Sequence, residues 1–284
     1  MKNFIGWVKR RHVRYNLIFI PFLLILGIIW MYPFFWVISA SIKTNREMFT
    51  AGANLIPKQI IFPEHYVRAW DVANFSTYFG NSVLYTVSSV IIILIKSVLC
   101  GYALARYKFP GSRFLHGLIL ATLFLPLASS IIPTFDLFNA IGILNTRWAV
   151  ILAQGGGSGV LWILLFIGTF RTIPEDIFDS AKVDGANYWQ TFWLVLPLAR
   201  PVIATVVIFS FLWNWNNFTT PLIFTLGAPE LRTLSVGMYY FSGEEATDWT
   251  GFAAATVISI VPVLIVFLLF QSYFVKGLAG AVKQ

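Results

Sequence analysis

The sequence predicts an all-α membrane protein, a single domain over residues 1–284 with six transmembrane helices and both termini on the cytoplasmic side. Three observations lead there. The chain is 58% hydrophobic and only 11% charged, with a mean hydropathy of +0.75, a balance that leaves too little polar surface for a water-exposed domain. Its apolar residues gather in six long runs, roughly 16–39, 80–104, 115–133, 148–170, 195–214 and 253–274. Each is close to the ~20 residues that cross a hydrocarbon core as helix. The basic residues between the runs are divided unequally between the two faces.

The elements follow in order. Lys2, Lys9, Arg10, Arg11 and Arg14 precede the first run. A basic start before an apolar stretch resembles a cleavable leader, but this run exceeds the about 7–15 residues of a leader core. No small-x-small site closes it before Ser39-Ala40-Ser41, so it reads as an uncleaved span, with residues 1–14 able to form a short interfacial helix. A long first loop, about 40–79, leads to the second run, and a short basic turn, 105–114, to the third. Pro126 and Pro133 bracket that third run, where neighbouring helices can satisfy the freed carbonyls. A short loop, 134–147, leads to the fourth run, and a long loop, 215–252, follows the fifth. That last loop mixes Tyr239, Tyr240, Phe241 and Trp249 with Glu244, Glu245 and Asp248.

Thirteen basic residues fall on the side of the termini, including Arg106, Lys108, Arg113, Arg171, Lys182, Arg200, Lys276 and Lys283. The other side has six: Lys43, Arg46, Lys58, Arg68, Arg147 and Arg232. The richer side is cytoplasmic. The net charge of +8 is therefore mostly a topology signal, and its scatter over separate turns excludes nucleic acid as a partner.

Between the fourth and fifth runs, residues 172–194 carry four of the twelve acidic residues. Thr172 and Glu175 fit an S/T-x-x-E capping box, with Pro174 in the first turn of the helix it would start. Phe178 and Ile177 each share a face with Ala181. Gly185 after Asp184 turns the chain. Tyr188, Trp189, Phe192 and Trp193 then open a second, aromatic-rich helix that runs through Pro197 into the fifth span. Helix, glycine elbow and helix make a firm knob shaped to enter a cleft in a partner.

Asp179-Ser180-Ala181, Asp184-Gly185-Ala186, Phe192 and Leu196-Pro197 together resemble the EAA loop of binding-protein-dependent ABC importer permeases. Asp179 stands for the usual Glu and Ser180 for the first Ala. Tyr102-Ala103-Leu104-Ala105-Arg106 with Lys108-Phe109-Pro110, Trp215-Asn216 before Pro221-Leu222, and Tyr273-Phe274-Val275-Lys276-Gly277 are similar to the maltose-type carbohydrate permeases. The resemblance implies a permease subunit of an ATP-driven importer for a carbohydrate, an oligosaccharide above all, in the bacterial cytoplasmic (inner) membrane. It implies a homologous second permease subunit, two copies of a cytoplasmic ATPase and an extracytoplasmic sugar-binding protein. ATP and Mg would sit on the ATPase, with no cofactor on this chain. Residues 172–194 would be the coupling loop, with Asp179, Ser180, Ala181, Asp184, Gly185, Ala186 and Phe192 as its ATPase-coupling residues and Phe192 and Leu196 anchoring it. A polyol or glycerol phosphate permease, or a membrane scaffold without a transport path, are the alternatives.

Catalytic chemistry is absent from the sequence. There is no G-x-x-x-x-G-K-[ST] and no H-E-x-x-H, and His12, His65 and His116 stand alone. His12 and His65 read as surface residues and His116 as an interface marker. Cys100, the one cysteine, excludes a disulfide framework and reads as a small buried hydrophobe. Lys96 is the one ionisable group well inside a span, at about 2.5–3.5 kcal/mol if central. Snorkelling or pairing with a neighbouring helix would relieve that, and a substrate role is the alternative. Nothing resembles the carboxylate relay of a proton-coupled carrier. Gly155-x-x-x-Gly159 allows either close helix packing or a bend, and places Gln154 and Gly157 toward a polar path. Trp213, Asn214, Trp215, Asn216 and Asn217 alternate flat apolar faces with amides, which suits a pyranose and equally an interfacial aromatic belt. Gln154, Gly157, Asn214, Trp215 and Asn217 are the candidate substrate path.

Overall fold

The computed structural model describes residues 2–50, 54–72, 74–157, 159–239 and 248–281, without the side chains of 2–18, 50, 72, 127–128 and 273–281. Ser158 of the glycine run, Tyr240, Phe241, Glu244 and Glu245 of the fifth loop, and Lys283 lie outside the described residues. All regular elements among the described residues are helical. They form two compact units, Met1–Trp70 with Phe241–Ile258, and Asp71–Tyr240 with Ser259–Gln284.

In the first unit α1 (Lys2–Ala40) is one uninterrupted helix. The basic segment therefore forms its opening turns rather than a separate interfacial helix. Two short helices follow, α2 (Asn45–Thr50) and α3 (Glu64–Val72), the latter passing into the second unit. The first loop is held by buried polar groups that each find a partner, as burial demands. Ser39 Oγ donates to the Leu55 carbonyl and Lys43 Nζ to that of Asn54. The Lys58 amide donates to the Glu47 carboxylate at 2.6 Å, and the Ser41 and Tyr66 hydroxyls lie 2.7 Å apart. His65 departs from the surface position expected of it. It is buried on α3 with Nε2 donating to the Lys43 carbonyl at 2.8 Å, while Arg68 donates to its Nδ1 at 3.1 Å. Arg68 also pairs with Asp248 at 2.8 Å, and Asp248 accepts the Gly251 amide at the start of α14 (Trp249–Ala281).

The second unit is built on α4 (Phe75–Arg106, 32 residues). Its buried positions Phe75, Tyr78, Ser82, Tyr85, Ser89, Ile93, Ser97 and Gly101 recur at three- and four-residue spacing, one stripe of an apolar helix. Against α4 pack α7 (Arg147–Gly157), α8 (Val160–Arg171) and α11 (Arg200–Trp215). Small residues set the separations. A Cβ on Gly101 would stand 2.4 Å from Phe166 Cβ, and one on Gly155 would stand 3.2 Å from Ser89 Cα. The connection that follows α11 folds back onto α4. Asn81 Nδ2 donates to the carbonyls of Glu230 and Arg232, Tyr85 Oη to that of Leu231, and the Leu234 amide to Ser82 Oγ.

Among the described residues, four helical stretches are long and apolar enough to cross a membrane: Phe19–Ala40, Phe75–Arg106, Tyr188–Trp215 and Trp249–Ser272. The pair α7 and α8, bent by 45°, makes a fifth if counted as one span. The expected third span, 115–133, is not one helix. It divides into α5 (Ser112–Thr122), a 3₁₀ turn at Leu127–Ser130 and α6 (Ile131–Ala140). Pro126 has no amide to continue α5, whereas Pro133 falls in the first turn of α6, where none is needed. The span expected at 195–214 starts earlier. α10 (Tyr188–Val195), a 3₁₀ turn at Leu196–Ala199 and α11 run on as a 28-residue stretch, because Pro197 and Pro201 each enter at a helix start.

Candidate functional site

The loop after α8 folds as α9 (Glu175–Val183), an elbow, and α10. Thr172 does not cap α9. It ends α8, its hydroxyl donating to the Thr169 carbonyl at 2.8 Å, and Pro174 occupies the N-cap. The proline disfavours helical geometry at Ile173, so the chain breaks there and Thr172 is left two residues ahead of the N-cap. The elbow is a complete Schellman closure. Gly185, at φ +75°, donates to the Lys182 carbonyl at 3.0 Å, and Ala186 donates to that of Ala181 at 2.8 Å. The capping box lies at the next helix instead. Asn187 Oδ1 accepts from the Trp189 and Gln190 amides, and Gln190 Oε1 accepts from the Asn187 amide at 2.7 Å.

The predicted coupling residues divide by exposure. Ala181 and Phe192 are buried, Ala186 is half-buried, and Asp179, Ser180, Asp184 and Gly185 are exposed. Ser180 Oγ donates back to the Asp176 carbonyl at 2.7 Å. Lys182 donates to Asp179 at 2.9 Å, and that bond raises the lysine above its usual range. Val183, not singled out from sequence, is 87% exposed at the tip and widens the presented face. Phe178 and Phe192 enter a core with Val98, Tyr102, Phe166 and Phe170, each worth about 2 kcal/mol by burial. Leu196 packs against the same core.

The decisive anchor is a residue that the sequence marked as a basic charge and as part of the family motif at 102–106, without a contact role. Arg106, at the end of α4, donates through Nη2 to the Ile173 carbonyl at 2.9 Å and through Nη1 to Glu175 at 2.9 Å. Its guanidinium carbon lies 3.4 Å from the Phe178 ring centroid. Tyr107, hydrogen-bonded to Tyr102, meets the Tyr188 ring at 5.2 Å. One end of α4 thus clamps both arms of the elbow.

A cleft of about 1020 Å³ opens in the same unit, at the upper end of the range of about 300–1,000 Å³ for small-molecule sites. Gln154, Gly157, Asn214 and Asn217 line it, so four of the five predicted path residues converge. Trp213 and Phe209 supply flat apolar surface, and Ser130, Thr134, Thr219 and Thr220 supply hydroxyls. Its lining among the described residues contains no Asp, Glu, Lys or Arg. Asn214 is 4% exposed, and its Nδ2 is buried without a hydrogen-bond partner. Asn217 is partly structural, its Oδ1 accepting the Thr220 amide at 3.0 Å. Trp215 does not line the cleft. It is 4% exposed, stacks on Phe211 at 5.5 Å and donates from its indole to the Ser259 carbonyl at 3.0 Å. On a helix, adjacent residues diverge by about 100°, which sends Trp213 and Asn214 to the cleft and Trp215 to the core. Thr134 and Ser130 escaped notice because they follow the break at Pro126.

Fold and site together define a multi-pass membrane protein with a polar, uncharged cleft and a rigid amphipathic elbow. Residues 97–280 match the family described as binding-protein-dependent transport system inner membrane component, and the chain belongs to that family, the permeases of ABC importers. It is 35% identical to the diacetylchitobiose uptake system permease protein NgcG of Streptomyces coelicolor, over 92% of this chain and 85% of that one. It is 31% identical to the probable starch degradation products transport system permease protein AmyC of Thermoanaerobacterium thermosulfurigenes, over 98% of this chain and 100% of that one. A crystal structure of a bacterial ABC transporter that imports the acidic polysaccharide alginate contains a chain similar in fold, with a TM-score of 0.81 and 26% identity. That likeness covers 93% of this chain and 98% of the other. These relatives are transport permeases and not enzymes.

Proposed function

We propose that this sugar-importer permease moves an oligosaccharide through its cleft, as one half of a pair with a homologous subunit in the cytoplasmic membrane. A binding protein delivers the solute at the outer face. Two ATPase copies act from the inner face, and the thirteen basic residues on the side of the termini and the elbow support that orientation. Six crossings result if residues 112–140 form an interrupted third and α7 with α8 a bent fourth. ATP and Mg belong to the ATPase chains.

The single observation that carries the solute class is the cleft lining, with amides and hydroxyls beside Trp213 and no charged side chain among the described residues. Amides exchange hydrogen bonds with sugar hydroxyls, and aromatic faces cover the C–H face of a pyranose. A glycerol phosphate would call for a cation there. In the elbow, Asp179, Ser180, Val183, Asp184 and Gly185 form the face the ATPase grips. Ala181, Phe178 and Phe192, with Arg106, carry its displacement into α4 and α8. Closure of the two ATPases draws the elbows together and opens the path outward, and hydrolysis reverses it.

The test is uptake and ATPase activity of the complex in proteoliposomes with a panel of loaded binding proteins. Stimulation by a neutral oligosaccharide, weakened by Asn214→Ala, is the expected result. Stimulation by glycerol phosphate alone would assign the rival solute. An ATPase that co-purifies but answers to no solute would leave the chain a scaffold.

A further inference from the structure

We propose that Lys96 is a positioning residue for transport, its ammonium standing in for two backbone donors that the bent fourth crossing lacks and so holding one wall of the cleft in place. The inference rests on the transport reading above. In an unbroken α-helix, the carbonyls of Gly155 and Gly156 would accept the amides four residues on, those of Gly159 and Val160. Here α7 stops at Gly157, Gly159 turns left-handed at φ +101°, and α8 leaves at 45°. Lys96 Nζ donates to those same two carbonyls, at 3.0 Å to Gly155 and 2.6 Å to Gly156.

Three features make this a support rather than a chance contact. A cation is favoured at the negative end of a helix dipole, and the end of α7 is such a place. Gly155 is pressed onto α4, where an added Cβ would stand 3.1 Å from Ile92 Cβ, so the carbonyls cannot withdraw from the lysine without losing that packing. Gln154, Gly156 and Gly157, the turn that Lys96 caps, all line the cleft. The charge costs free energy inside an apolar span, and the two carbonyls offset that cost by giving it acceptors. With the ammonium removed, the cheapest repair is to run α7 into α8 as one helix, which turns the glycines out of the wall.

The test uses the reconstituted complex with Lys96→Met or Lys96→Arg in a Cys100→Ser background. A single reporter thiol is placed at Gly157→Cys, where an added Cβ meets nothing within 4 Å, or across the cleft at Thr220→Cys. Losing two charge-assisted bonds in Lys96→Met should slow maleimide labelling at Gly157→Cys about tenfold, spare Thr220→Cys, and cut uptake by about the same factor. Lys96→Arg keeps donors for both carbonyls and should restore labelling and uptake. Unchanged labelling at Gly157→Cys, equal loss at both thiols, or full uptake by Lys96→Met would each overturn the proposal. Should Lys96→Met not accumulate in membranes, Lys96→Gln takes the same measurements. A parent complex that moves no carbohydrate refutes the preceding reading, while the labelling ratio judges Lys96 independently of any solute.

Discussion

Replacing Arg106 by Met tests how firmly the elbow is tied to α4. The bond from Nη2 to the Ile173 carbonyl has a charged donor whose side chain is only 12% exposed, and such bonds contribute about 1.5–3 kcal/mol. The guanidinium over Phe178 adds about 1 kcal/mol. The pair with Glu175 adds less than about 0.5 kcal/mol, because that carboxylate is 65% exposed and screened by solvent. On the other side, Arg106 Nε is buried without a partner, a penalty of about 1 kcal/mol that Met removes. The balance is a loss of about 2–3 kcal/mol, or roughly a 30–150-fold rise in local opening of the elbow. Hydrogen–deuterium exchange of residues 175–183 in purified protein reads this directly. The amides of α9 should exchange faster by that factor, with those of α11 unaffected. Arg106→Lys should fall between, since a point charge keeps one bond and loses the fork. Exchange in Arg106→Met within about threefold of the parent would refute the clamp and leave the apolar and aromatic contacts of Phe178, Phe192 and Tyr188 to hold the elbow.

Three further outcomes are expected. Gly185→Pro removes the amide that bonds Lys182 and forbids φ +75°, so membrane insertion should persist while ATP hydrolysis runs on without uptake; normal uptake would count against the elbow as a mechanical link. Trp215→Phe keeps the stacking but loses the indole bond to Ser259, and should lower thermal stability by about 1 kcal/mol without altering solute preference. A changed preference would put Trp215 back in the path. Gly101→Ala drives a methyl against Phe166 and should destabilise by about 1–3 kcal/mol, read as a lower melting temperature in detergent, with no shift disproving the close approach.

Much of the elbow was legible because its signals are local. Gly185 after a short amphipathic helix needs only its neighbours to make a Schellman turn, and Phe178 with Ala181 needs only helical spacing to face inward. The capping box was misplaced for a reason equally local: Thr172 and Glu175 satisfy the pattern, but Pro174 between them forces the break, and Asn187 with Gln190 carries the box one helix later. Both readings of the glycine run are realised at different residues, close packing at Gly155 and the bend at Gly159.

Apolar run length, the uneven distribution of Lys and Arg, and the spacing of the elbow were enough to assign helices, a membrane and a family, because each is a property of the chain read along one dimension. Arg106 as a clamp, Lys96 as a cap and Trp215 as a core residue were decided only by tertiary contact. Arg106 reaches an acceptor 67 residues on, Lys96 reaches acceptors 59 and 60 residues on, and Trp215 reaches one 44 residues on. A buried donor is stable only where an acceptor waits for it, and which carbonyl waits depends on how helices distant in the chain are packed.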